Sequence, residues 1–157
     1  MTDAGLKQRL RDDLTQAMKS RDPVVLSSLR MALSAITTAE VAGKQAKVLT
    51  EDEVVGVLVR EVKQREEAAE AFRAGGRTGS AEEEDEQAEV LRRYLPQPLS
   101  APELQSLVDQ AVAKVRADGV TGGAAMGRAM GLLKKPTAGR ADGAAVAAAV
   151  RAALGMG

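Results

Sequence analysis

Residues 93–103 read RYLPQPLSAPE. The residue before a proline is pushed out of the helical region, so a helix arriving at Tyr94-Leu95 must stop before Pro96. Pro96, Pro98 and Pro102 stiffen the next seven positions, 96–102, and Ser100 with Glu103 has the spacing of a helix start, Ser-x-x-Glu. The stretch predicts an N-terminal helical domain over 1–95, a proline-rich hinge over 96–102 and a C-terminal domain over 103–157.

Working back from the hinge, the pattern is helical throughout. Leu6, Leu10, Leu14 and Met18 recur every fourth residue and predict a helix over about 3–20. Asp22-Pro23 pairs a good N-cap with a good first helical residue, opening a second helix to about 42 with Leu26, Leu29, Leu33 and Ile36 inward. Thr50 and Glu53 form a capping box for a third helix that buries Val54, Val55, Leu58, Val62, Ala69 and Phe72 and stops at Gly75-Gly76. Ser80 and Glu83 have the same spacing and predict a fourth helix ending at the hinge.

Working forward, Leu104, Leu107, Val108, Ala111 and Val115 mark a fifth helix closed by Asp118-Gly119. A sixth opens near Thr121 and runs to about Leu133, and Asp142 caps a seventh with Val146, Val150, Ala153 and Leu154 on one face. The expected fold class is all-α, about four helices and then three. Composition agrees: with one Phe, one Tyr and no Trp, the core must be Leu, Val, Met, Ile and Ala, which suits closely packed helices.

The chain of 157 residues has no cysteine and no histidine. Disulfides and thiolate chemistry are excluded, and the commonest general base and metal ligand are missing. No catalytic residue, metal site or cofactor is expected. The longest purely apolar run, AAVAAAV at 144–150, is far short of the roughly 20 residues that span a bilayer. MTDAGLKQRLRDD lacks the apolar run of a secretory signal, so a cytoplasmic protein without membrane partners is the expectation. Net charge is zero, but residues 1–99 carry −3 and residues 100–157 carry +3.

The acidic run EEEDE at 82–86 reads as a solvated first helical turn, because consecutive helical residues point in different directions and do not converge on one ion. The segment 60–77, REVKQREEAAEAFRAGGR, spaces Glu61 with Arg65 and Lys63 with Glu67 for i,i+4 pairing. It reads as a solvent-facing helix surface, or as a partner or RNA surface using Lys63, Arg65, Arg73 and Arg77. Arg30, set between apolar positions, reads as a side chain that snorkels beside the core, with an interdomain or ligand contact as the alternative.

Residues 126–143, MGRAMGLLKKPTAGRADG, hold the strongest candidate site. Gly123, Gly127 and Gly131 form a ridge at helical spacing, and each interior helix glycine costs about 1 kcal/mol relative to alanine. Two explanations stay open. The ridge lets another helix pack closely, or its bare backbone lets an RNA phosphate strand approach. Arg128, Lys134, Lys135 and Arg140 surround it, although cations are favoured at a helix C-terminus in any case.

In order along the chain, MGxxMG followed by GRADG before a terminal helix, KSRDPVVLSSLRM, EVKQREEAAEAFRAGGR and EVLRRYLPQPLS resemble the GatB/YqeY domain family. The resemblance covers almost the whole chain and is to the stand-alone YqeY-like proteins rather than to the longer amidotransferase B subunit. It implies an all-α fold whose C-terminal three-helix domain is similar to the tRNA-contacting tail of that subunit. It therefore implies a tRNA-linked, non-catalytic accessory module with tRNA, other structured RNA or a translation-related protein as partner. Phosphate contacts from Arg128, Lys134, Lys135 and Arg140, with Gly127 and Gly131 allowing approach, belong to that implication. Carbon–nitrogen ligase activity with glutamine as amido donor is implied only by family analogy, since no amidase or phosphate-loop residues are present. A protein–protein adaptor and an amidotransferase-associated subunit are the alternatives. Two departures from the family pattern thin the basic footprint: Lys134-Lys135-Pro136-Thr137-Ala138 replaces the usual Met-Pro-Lys-x-Lys, and Val24-Val25 stands where basic residues are common.

Overall fold

The computed structural model describes residues 5–156. Among them lie seven α-helices and no strand: α1 (Leu6–Ser20), α2 (Pro23–Glu40), α3 (Glu51–Ala74), α4 (Thr78–Arg92), α5 (Ala101–Ala117), α6 (Gly122–Thr137) and α7 (Gly143–Ala153). Residues 3 and 4, expected to open the first helix, lie outside the described residues. The helices fall into two compact units, Met1–Pro96 and Gln97–Gly157. No helix is long and apolar enough to cross a membrane among the described residues.

In the first unit, α3 packs along α4, α2 touches all three other helices, and α1 lies against α2 and α3. Leu10, Leu29, Ile36, Leu58 and Leu91 are fully buried in its core. Polar groups fix the helix ends. Asp22 accepts from the Val24 and Val25 amides at 3.1 and 3.2 Å, and the Thr50/Glu53 box is complete. The α1 N-terminus is held from a distance: the Leu6 amide donates to Glu51 Oε1 at 2.8 Å, so a carboxylate satisfies one orphan amide 45 residues away in sequence. Lys7 and the Leu49 amide both donate to Glu40, which holds its carboxyl below the ordinary range.

The expected Ser80/Glu83 capping box does not form. The Arg77 amide donates to the Phe72 carbonyl at 2.8 Å, closing α3 with Gly76 at φ +75°, and α4 starts at once from Arg77. Ser80 then lies inside the first turn, where its side chain has no end to cap.

In the second unit, α5, α6 and α7 each pack on the other two. Val108, Val115, Leu133 and Val150 are the largest fully buried side chains or nearly so. Ser100 accepts from the Glu103 amide at 3.2 Å, so α5 begins inside the segment expected as hinge. The sixth helix runs on to Thr137 rather than ending near Leu133, and carries Pro136 in its last turn. Pro136 deprives the Leu132 carbonyl of a helical partner. Leu132 lies on the solvent side, and Thr137 Oγ1 donates to the Leu133 carbonyl at 2.7 Å.

Candidate nucleic-acid interface

The α6 helix is amphipathic. Ala125, Ala129, Leu133 and Thr137 are buried, with Met126 and Met130 half-buried against the same core. At 100° per residue this turns Gly127, Gly131 and Lys134 onto one outward ridge, with Arg128 and Lys135 on the next. All five are exposed.

Packing within the second unit does not explain the glycines. A Cβ placed on Gly123, Gly127 or Gly131 meets nothing within 4 Å among the described residues. No helix of the second unit packs on the bare ridge, so nothing described within that unit offsets a cost of about 1 kcal/mol per glycine. Arg128, Lys134 and Lys135 form no ion pair among the described residues. The structure thus brings together two glycines and three free cations of the expected set.

Arg140 differs from these three cations in having partners. Arg140 sits in the Gly-Arg-Ala-Asp-Gly turn, which Gly139 makes possible by taking φ +70°. Its Nε donates to the Gln97 carbonyl at 2.9 Å, its own carbonyl accepts from the Leu99 amide at 2.8 Å, and Nη2 lies 3.6 Å from Glu103. Arg140 therefore clasps residues 97–99 to the α6–α7 turn. Asp142 then caps α7 through the Ala144 amide at 3.4 Å.

The secondary surface divides in the same way. Arg65 is not a surface cation: it is 4% exposed, with Nη1 on the Glu61 carboxylate at 2.7 Å and on the Glu61 carbonyl at 3.0 Å. Its Nη2 points to Met31 Sδ at 3.3 Å, and its Nε has no partner among the described residues. Arg73 pairs with Asp85 at 2.6 Å, so one member of the acidic run bridges α3 and α4. Arg77 lies over the Phe72 ring, 5.0 Å from its centre. Lys63 is exposed and forms no ion pair among the described residues.

Two features escaped the sequence. Gln97 as the partner of Arg140 has no local signal, because the bond joins residues 43 apart. Leu132, 39% exposed beside the cations, was hidden by its apolar type. No group of three or more acidic side chains suited to a metal ion occurs among the described residues.

Residues 7–154 match the family model described as Yqey-like protein. Among curated proteins, an uncharacterized protein of Schizosaccharomyces pombe is 40% identical over 93 residues, 59% of this chain and 73% of that protein. A protein of Candida glabrata named altered inheritance of mitochondria protein 41, mitochondrial, is 30% identical over 95 residues, 60% of this chain and 52% of its own length. The protein of the same name from Pyrenophora tritici-repentis is 30% identical over 129 residues, covering 80% and 70%. The expectation of a cytoplasmic protein is corrected by these names, which point to mitochondria rather than to the cytoplasm.

Proposed function

This chain belongs to the YqeY-like family, and from that premise we propose that it is a non-catalytic binding module for structured RNA, with tRNA as the ligand class. Residues 1–95, with about four helices, and 103–157, with three, serve as separate modules in this reading. The outward face of α6 makes the contact. One observation carries the reading: exposed glycines that pack against nothing stand beside three cations that pair with nothing among the described residues. Bare backbone lets a phosphate strand come close, and Arg128, Lys134 and Lys135 neutralise it. Phe72 and Tyr94 are the only aromatic residues, so base stacking on a single strand has no platform and shape-read RNA fits better.

The test is a tRNA titration at several salt concentrations, beside a variant with Arg128, Lys134 and Lys135 changed to Gln. Binding that weakens with salt and is largely lost in the variant supports the reading. Equal binding by both proteins, or none by the parent at low salt, overturns it. ATP-dependent amide transfer by the purified chain overturns its non-catalytic part.

A further inference from the structure

The first unit carries a second feature that the α6 reading leaves unused. A groove of about 700 Å³ runs between α2 and α3. Val57 is buried in its floor, with Ala35 and Ala39 half-buried beside it, so the floor is apolar and low. Met31, 41% exposed, lines it as well.

The charges of this groove are one-sided. Arg30 and Arg60 line it, are exposed and form no ion pair among the described residues. The carboxylate present, Glu61, is occupied by buried Arg65 at 2.7 Å. Arg65 also reaches Met31 Sδ, which orients the thioether at the groove. An apolar floor between two unpaired arginines is thus set on a rigid, buried ion pair.

We infer that this groove is a docking site for an acidic amphipathic helix of a partner protein. Small side chains at Ala35 and Ala39 let a third helix settle between α2 and α3 at ordinary interaxial distances of roughly 8–10 Å. Met31 adapts to whichever apolar side chain it meets. Arg30 and Arg60 pair with acidic residues flanking the apolar stripe of the incoming helix, which sets its orientation and rejects basic helices. The helical stretch from Arg30 to Ala39 is roughly 14 Å long, which suits a helix of about 10 residues. A phosphate backbone gains nothing from an apolar floor of alanine, valine and methionine, whereas the apolar stripe of a helix is buried there. The inference does not rest on the RNA reading, which concerns a different unit.

The test uses the full chain and a fluorescent synthetic helix of about 15 residues, with leucines along one stripe and glutamates on both flanks. Binding is expected, weakening as salt rises. Arg30→Glu with Arg60→Glu should weaken it about tenfold or more, since two attractive contacts become repulsive. Thr38→Trp, at an exposed groove position, should block the floor without touching the core. Unchanged melting temperatures confirm that the variants fold. Failure of the peptide to bind, or equal binding by the double variant and by Thr38→Trp, overturns the proposal. Loss of tRNA binding in the double variant with peptide binding intact also overturns it, and assigns the arginines to nucleic acid.

Discussion

Replacing Gly127 and Gly131 together by alanine separates the two meanings of the α6 ridge. Both positions are helical, exposed and free of any neighbour within 4 Å of a new Cβ. Alanine therefore gains helix propensity at no steric cost, about 1 kcal/mol at each site and about 2 kcal/mol together. The second unit has about 60 residues, a size at which each kcal/mol moves the melting temperature by roughly 4–8 °C. The expected result is a rise of about 8–16 °C in the transition of that unit, read by calorimetry or circular dichroism. The same variant should bind tRNA several-fold more weakly, because two methyl groups now stand where backbone met phosphate. A protein made more stable and less able to bind at once is the signature of glycines kept for contact. A fall in melting temperature refutes the open-ridge geometry. A rise with tRNA binding unchanged refutes close approach and leaves the glycines without a role in binding.

Other substitutions test the ties that hold each unit. Arg65→Ala should cost about 3 kcal/mol in urea unfolding, since it leaves Glu61 without its partner and opens a cavity; Arg65→Met, which keeps most of the packing, should cost less. Arg140→Ala should cost about 1 kcal/mol through the lost bond to the Gln97 carbonyl, and hydrogen exchange at the Leu99 amide should quicken. Tyr94 is the only tyrosine, so phenolate absorbance reports it alone. Burial first, and then its hydrogen bond to Asp13, raise its pKa above the ordinary 10.0. The folded protein should ionise this phenol at higher pH than the urea-unfolded chain. The raised pKa favours the folded state below the unfolded value, and that contribution is lost as pH rises from there through the folded value. Tyr94→Phe should abolish the absorbance change and flatten that part of the stability profile.

The helices were legible because their ends are written in side chains. Asp22, Thr50/Glu53 and Ser100/Glu103 cap as their spacing says, and Gly75-Gly76 stops α3. Ser80/Glu83 misleads because Ser-x-x-Glu also occurs within a first turn, and only the tight closure at Gly76 decides where α4 starts. Arg65 was legible by position and concealed by type. Leu58, Val62, Arg65 and Ala69 follow one helical stripe, all four buried, yet an arginine among them reads as surface unless its i−4 glutamate is seen as the partner that permits burial. The glycine ridge was undecidable from spacing, since either meaning needs the same residues. What separates them is whether another helix covers that face, a tertiary fact.

Arg140 shows why counting cations overstates a binding face, and the salt slope of tRNA binding measures the difference. Each phosphate neutralised on a duplex contributes about 0.9 to the slope of log affinity against log salt. Four contacts from Arg128, Lys134, Lys135 and Arg140 give a slope of about 3.6; the three cations without partners give about 2.7. Arg140 already spends Nε on the Gln97 carbonyl and lies near Glu103, so a phosphate must displace those partners to claim it. Arg128→Gln should therefore lower the slope by about 0.9 and leave stability unchanged, since its side chain is exposed and forms no ion pair among the described residues. Arg140→Gln should lower stability and leave the slope unchanged. If Arg140→Gln lowers the slope as much as Arg128→Gln does, the clasp opens on binding and the contact set includes all four cations. If neither changes it, the phosphates lie elsewhere and the α6 face is not the interface.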